Sequence, residues 1–340
     1  MKRHGNLWPK ILDLENIKLA HRQARRGKAY YEEVKMVDAD LDKYAAEIQS
    51  MLLHKTFTTS PYEIEDRFDG RKERTIYKLP YYPDRIVQHA LLNVIGPIFV
   101  NTFIRDSFQS IVGRGTHDGA RRVKKLVRSE NCPRYALKVD VRKYYPSVDN
   151  NILKEVIRKK IKDPDVLWLL DDVIDSMKGL PIGNYTSQHL GNLYLNQFDW
   201  WIKQEVRPPG YFRYCDDIVI FGHSTRELID IKAQIVKKLG ALKLEIKPNW
   251  NIYDVHKNGI DFVGFVFRPS DTRVRRSIAL KFKEKCRCIQ RVITRNNRTM
   301  FLSNLMAYKG WMNRVNAKNL WRKHIVYFSK FFPKQVKGAL

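Results

Sequence analysis

The chain has 340 residues, 44% of them apolar, and 63 Lys and Arg against 36 Asp and Glu give a formal charge of +27. That apolar share supports a sizeable core, in one multi-lobed unit or two domains, and the charge calls for a polyanionic partner, either nucleic acid or an anionic membrane. No apolar run approaches the ~18 residues of a membrane span. The basic start Met1-Lys2-Arg3-His4 makes a poor signal peptide, because Lys10, Asp13 and Glu15 break up the stretch after it. Nucleic acid is the better candidate. Cys132, Cys215, Cys286 and Cys288 have the spacing of neither a disulfide framework nor a zinc site, so a reducing cytoplasm is the expected setting.

Residues 11 to 55 read as helices, with Leu41, Tyr44, Ala45, Ile48, Leu52 and Leu53 at helical spacing. The basic run His21 to Lys28 is either a solvated face or a contact with RNA or a partner. Residues 62 to 79 read as a β-hairpin turning at Asp69-Gly70, with Arg71, Lys72, Arg74 and Lys78 crowding its second half. Pro80 leads into a helix through Asp84, Arg85 and Leu91. Gly113-Arg114-Gly115-Thr116-His117 opens another, with Thr116 as N-cap.

Residues 136 to 142 alternate as a strand. Leu137, Val139 and Val141 point one way, Lys138 and Asp140 the other. Ser147 or Asp149 then caps a helix. Asp171-Asp172 pairs two acids, but its apolar neighbours follow helical spacing, so the carboxylates diverge by ~100° and form a solvated face. Gly179 to Gly183 is a tight turn before a helix whose stripe is Leu190, Leu193, Tyr194, Phe198 and Trp201.

Tyr211 to Phe221 is the second acidic element. Strand formers flank Asp216-Asp217, which reads as a hairpin with both carboxylates at its tip. Either this is a polar turn, or a divalent cation relieves the repulsion between the acids. With Asp140 beside the hairpin, Asp140 and Asp216 would hold two metals ~3.5–4 Å apart, the arrangement for in-line phosphoryl displacement. Gly240 is the expected C-cap of the next helix, and Leu242 to Lys247 alternates like an edge strand. From residue 272 onward there are eighteen Lys and Arg against one acid, Glu284, with aromatics such as Phe282, Trp311, Phe331 and Phe332 interleaved. This reads as a helical lobe tracking nucleic-acid phosphates.

Asp140 with an aromatic five residues on, then Tyr-Cys-Asp-Asp with Asp216 seventy-six residues later, resembles the palm of reverse transcriptases. Gly183-Asn184-Tyr185-Thr186-Ser187-Gln188 is similar to the Gly-x-x-x-Ser-Gln signature of the enzymes of diversity-generating retroelements. The resemblance implies an α+β right-hand polymerase with fingers, a palm built on an antiparallel sheet, and a helical thumb. Residues 1–135 would be N-terminal helices and fingers with the palm entry, 136–271 the palm with a fingers/palm insertion at 150–185, and 272–340 the basic thumb.

The resemblance also implies roles. Asp140, Asp216 and Asp217 would be catalytic, and with the Val141 carbonyl would hold two Mg²⁺ ions, with Mn²⁺ as a substitute. Arg74 and Lys72 would grip the triphosphate, and Tyr145 would close the sugar pocket against a 2′-hydroxyl. Ile182, Gly183 and Gln188 would line the nucleotide site. Ile182 stands where many relatives carry Gln, one polar restraint of ~1 kcal/mol fewer. Lys247 would protonate leaving pyrophosphate, with Lys243 as a rival. Phe262, Val263, Gly264 and Phe265 would form the primer grip.

The implied activity is RNA-directed DNA polymerase, copying a retroelement RNA with frequent errors at template adenines to diversify a target gene. Template RNA, the cDNA or primer strand, dNTPs and a small basic ring-forming accessory protein are the implied partners. The protein would be cytoplasmic and bacterial, archaeal or phage-encoded, with no membrane involved. A group II intron, retron or phage-defence reverse transcriptase is the alternative, and a non-catalytic RNA-binding protein a more distant one.

Overall fold

A computed structural model describes residues 3–69, 72–293, 298–315 and 317–330. In chain order the elements are α1 (Trp8–Leu12), α2 (Leu14–Ala24), α3 (Glu32–Ala39), α4 (Leu41–Leu53), β1 (Glu63–Asp69), β2 (Lys72–Lys78), α5 (Ile86–Val100), β3 (Ser107–Phe108), α6 (Thr116–Val127) and β4 (Tyr135–Asp140). There follow α7 (Tyr144–Ser147), α8 (Asn150–Arg158), α9 (Pro164–Asp175), α10 (Tyr185–Tyr194), α11 (Asn196–Trp201), β5 (Gly210–Tyr214), β6 (Asp217–Gly222) and α12 (Thr225–Gly240). Last come β7 (Asn251–Asp254), β8 (Ile260–Phe262), β9 (Phe265–Phe267), β10 (Thr272–Val274), α13 (Arg276–Val292), α14 (Arg298–Met312) and α15 (Lys318–Ile325). The fold divides into two compact units that alternate along the sequence. One holds residues 1–111, 140–207 and 231–248, the other 112–139, 208–230 and 249–340.

The first unit is helical around α5. Ile86, Val87, Ala90, Leu91, Ile95 and Phe99 are all buried, and α5 is apolar on nearly every side, the pattern of a core helix. Against α5 packs α2, with Ile17, Ala20 and Ala24 inward. His21 is buried as well, its ring bonded to Asp38 and to the Tyr81 hydroxyl, each at 2.8 Å, while Arg25 pairs with Asp38. The first turn of the basic run is thus partly interior. The hairpin β1–β2 pairs Glu63 with Lys78 through to Asp69 with Lys72; Gly70 of the expected turn, and Arg71 after it, lie outside the described residues. Asp163 ties the N-terminus down: its carboxylate accepts from the backbone N–H groups of Leu7 at 2.7 Å and Trp8 at 3.2 Å while capping α9.

The second unit is built on a sheet in which β5, β6, β4 and β7 are successive neighbours, β5 antiparallel to β6 and β4 antiparallel to β7. Strand β4 shows the expected alternation: Leu137 and Val139 are buried, Lys138 and Asp140 half-buried. A second, three-stranded sheet runs β8-β9-β10. Helix α13 has Phe282, Cys286 and Ile289 buried, with Cys288 exposed on another side. Phe331 and Phe332 lie outside the described residues.

Four local expectations are corrected. Thr116 is the first helical residue and Gly115 the cap position, without a side-chain bond. The strand expected over 136–142 ends at Asp140, and Val141 makes only an isolated bridge to Ile246. Residues 242–247 form turns and that bridge instead of a strand. Gly240 stays helical; the left-handed position after α12 falls on Lys243, φ 54°, while the Leu244 N–H closes on the Leu239 carbonyl. The chain turns three residues late because Leu239 and Leu244 are both buried.

Asp163→Ala strips three backbone donors of their acceptor and removes the α9 cap, so unfolding in urea should show a loss of roughly 2–4 kcal/mol. Asp165→Ala, which removes a partly exposed ion pair with Lys55, should change stability by no more than about 0.5 kcal/mol.

Candidate active site

In the sheet unit, Tyr214 pairs with Asp217, which leaves Cys215 and Asp216 as the two-residue turn of the β5–β6 hairpin. Cys215 adopts φ 57°, a left-handed conformation uncommon for a residue with a Cβ. The turn is held from inside: the fully buried Arg213 donates from Nη1 to the Cys215 carbonyl at 3.0 Å. Asp216 is therefore at the tip and Asp217 opens β6, both half-buried.

Lys138 reaches this turn from β4, with Nζ 3.3 Å from Asp217 Oδ2. The same ammonium donates to the Asp261 backbone carbonyl at 2.8 Å and lies 3.8 Å from Asp261 Oδ1. Arg275, at the cap of α13, grips Asp261 from Nε at 2.9 and 2.7 Å and also from Nη2. Its backbone N–H donates to the Gly264 carbonyl at 2.9 Å. Charges thus alternate from Arg275 through Asp261 and Lys138 to Asp217.

The expected primer-grip residues form the β8–β9 turn. Phe262 and Phe265 are fully buried, and Val263 and Gly264 take φ 44° and 86°. A Cβ on Gly264 would stand 2.3 Å from the Trp311 ring, so only hydrogen fits there. A cleft of about 530 Å³ in this unit is lined by Gly113, Thr116, His117, Arg121, Trp311 and Arg314.

In the helical unit, Asp140 is ion-paired with Lys247, whose backbone N–H also donates to the Asp140 carbonyl at 2.8 Å. Lys243, the rival, is engaged elsewhere, 2.6 Å from Asp149 at the cap of α8. The bonds flanking the Val141–Ile246 bridge use the carbonyls of Asp140 and Glu245 and do not consume that of Val141. Tyr144 is buried, its hydroxyl donating to the Gly191 carbonyl; Tyr145 beside it is half-buried, ring centroids 5.4 Å apart.

The Ile182 carbonyl accepts from the Tyr77 N–H at 2.8 Å, which clamps strand β2 to the turn before α10. Gly183 has φ 132°, and a Cβ there would meet the Tyr77 carbonyl oxygen at 2.4 Å. The Gln188 side-chain oxygen accepts from the Ser110 hydroxyl. Arg74 is exposed and faces Arg67 across the hairpin register; the side chain of Lys72 lies outside the described residues. Asp171 and Asp172 diverge as expected, to Arg158 and to Thr58 and Thr59.

A further pocket of about 260 Å³ includes Lys28, Tyr31, Arg85 and Tyr185. Burial, then the cations Arg85 and Lys28, push the His89 imidazole down to about 3, so it stacks neutral on Tyr185 at 3.7 Å.

Sequence reasoning placed Lys138 on the Asp140 face of β4 but gave it no task, and it overlooked Asp261 and Arg275. The one legible signal was a carboxylate, Asp261, standing beside an apolar turn. Among the described residues, no group of three or more His, Cys, Asp or Glu side chains stands together as a ready metal cage. The donor chemistry still suits hard cations: Mg²⁺ is usually held by one or two carboxylates plus substrate phosphates, without a cage made wholly of protein.

Protein YkfC of Escherichia coli strain K12 is 28% identical over 232 residues, covering 55% of this chain and 61% of its own length. The chain thus spans less than two thirds of that relative. Apo telomerase from Candida tropicalis superposes with a TM-score of 0.49 at 13% identity, over 64% of this chain and 49% of that one. Telomerase from the same organism, in complex with a TWJ fragment of telomeric RNA, gives 0.50 at 11% identity over 78% and 57%. The likeness is one of fold, the α+β right-hand polymerase class. A family profile, reverse transcriptase (RNA-dependent DNA polymerase), matches residues 69–267. That match covers more than half of the sequence, and the chain belongs to the reverse transcriptase family.

Proposed function

We propose that the chain is an RNA-directed DNA polymerase that copies a retroelement template RNA into cDNA, and that its element is of the diversity-generating kind. The observation that carries the polymerase reading is the neighbouring of β4 and β6. The last residue of β4 is Asp140, and the residue before β6 is Asp216. In this reading Asp140 and Asp216 hold two divalent cations, with the Val141 carbonyl and Asp217 in support. The cations, Mg²⁺ or Mn²⁺, would neutralise charge on the transferring phosphoryl group. The primer 3′-hydroxyl attacks the α-phosphorus of a dNTP and pyrophosphate leaves.

The remaining roles in this reading are those that the family resemblance implies. Lys247, paired with Asp140, is the lysine assigned to the departing pyrophosphate. Arg74 and Lys72 contact the triphosphate from the hairpin, and Tyr145 and Gln188 border the nucleotide. Phe262 to Phe265 press on the primer end. In this reading residues 1–135 supply the N-terminal helices and fingers, 136–271 the palm and 272–340 the thumb, with template RNA, primer strand and dNTPs as partners. No helix among the described residues is long and apolar enough to cross a membrane, and the cytoplasm is the proposed setting.

The diversity-generating assignment rests on the signature from Gly183 to Gln188 and on Ile182. The clamp to the hairpin uses the Ile182 backbone, so the side chain at 182 varies without releasing it. An apolar side chain there offers no hydrogen bond to a nucleotide or template. Copying with frequent errors at template adenines, and a small basic ring-forming accessory protein, complete this reading.

Asp140→Asn or Asp216→Asn should abolish primer extension, at least 10³-fold in single turnover, while RNA binding changes less than about threefold. Extension retained in either purified variant would defeat the metal assignment. Sequencing cDNA made on the element's own RNA should show errors concentrated at template adenines, and Ile182→Gln should reduce that excess; equal error rates at all four bases would reject the diversity-generating reading.

A further inference from the structure

The roles proposed for Asp140 and Asp216 leave the chain of charges in the sheet unit unexplained. Lys138 is half-buried at the end of the β4 surface, and its ammonium is shared three ways, to Asp217 Oδ2 at 3.3 Å, the Asp261 carbonyl at 2.8 Å and Asp261 Oδ1 at 3.8 Å. Asp261 is also held by the Nε–Nη2 edge of the Arg275 guanidinium. Arg275 in turn fixes the Gly264 carbonyl through its backbone N–H. Trp311 packs where a Cβ of Gly264 would go. Four alternating charges therefore connect the acidic turn at one end to the Val263-Gly264 turn and the start of α13 at the other.

A lysine beside a metal-binding carboxylate has a calculable effect. Its positive charge lowers the attraction of the acidic turn for a cation, and its bond to Asp217 holds that carboxylate in one orientation. Asp261 pulls the same ammonium the other way. The position of Lys138 between two acids thus sets how much negative charge the turn presents.

We propose that Lys138 is a positioning residue and internal counter-ion of the Asp216-Asp217 turn, and that Asp261, held by Arg275, sets its strength and ties it to the Val263-Gly264 turn. This rests on the metal-dependent polymerase reading given above. The two residues act in opposite senses. Removing Lys138 leaves the turn more negative and tightens cation binding; removing the charge of Asp261 releases the ammonium wholly to Asp217 and weakens it. General loosening of the fold would weaken binding in both variants.

The test is Mn²⁺ binding to the full chain without primer or nucleotide, read as free Mn²⁺ by electron paramagnetic resonance, with thermal melting as a control. Lys138→Met should tighten Mn²⁺ by about five- to tenfold, as expected for one charge lost some 6–7 Å from a divalent ion. Asp261→Asn should weaken it by about threefold, and Lys138→Arg, which keeps the charge, should stay within about twofold of the parent. Equal affinities in the parent, Lys138→Met and Asp261→Asn overturn the inference while leaving the metal site intact, as does weakening in both variants. A parent chain that binds no Mn²⁺ defeats the metal assignment itself, and the counter-ion role with it. If Lys138→Met does not fold, Lys138→Gln takes its place with the same tightening expected, and unchanged or weaker Mn²⁺ binding in it overturns the inference.

Discussion

Clustered negative charge is the constraint on which the functional half of this molecule depends. Carboxylates left together in a partly desolvated site repel, and one of them takes up a proton. Here the two acids that open or close the neighbouring strands β4 and β6 each have a lysine: Lys247 pairs with Asp140 and Lys138 with Asp217. Both lysines come from nearby polypeptide that is itself hydrogen-bonded to the sheet or its extension. Each carboxylate is therefore held in a set orientation in the free protein, and under the proposed metal-dependent reading a cation would compete with ammonium groups already in place.

Backbone geometry supplies the rest of the organisation. The tip of the acidic hairpin is shaped by Cys215 in a left-handed conformation with the buried Arg213 underneath. The hairpin of β1 and β2 is fixed by a main-chain bond to Ile182 and by the lack of a side chain at Gly183. The β8–β9 turn depends likewise on Gly264, against which Trp311 packs. At each of these places the side chains given a substrate-facing role in the proposed function stand on a backbone held by something other than those side chains, which separates precision of placement from choice of chemistry.

Much of this was legible in the residues. Period-two alternation located β4 and gave Asp140 its face. The Tyr-Cys-Asp-Asp run showed a hairpin, and helical spacing exposed Asp171-Asp172 as an unrelated pair. These signals are local, set within a few residues by pleat or helix period. The features that stayed hidden are long-range. The choice between Lys247 and Lys243 depends on how the chain leaves α12, where burial of Leu239 and Leu244 overrode the glycine signal at Gly240. The partnership of Lys138 with Asp261 joins positions 123 residues apart and exists only because of how the two sheets are arranged in their unit. Thr116 failed as a cap because Gly115, in extended backbone, took that position.

The alternation of the two compact units along the sequence bears on how the polypeptide acquires its shape during synthesis. The helical unit draws on three separate stretches, the last ending at residue 248, and the sheet unit on three more, the last beginning at residue 249. Neither is finished when its first stretch leaves the ribosome. Strand β4 emerges before both strands of the hairpin and before β7, its antiparallel partner, so its apolar face waits more than a hundred residues for full cover. At ~5–20 residues per second that delay is several seconds or longer. A nascent chain of this kind is a natural client for holdase chaperones, and a single cut anywhere between residues 113 and 247 would leave orphaned pieces of both units in each fragment.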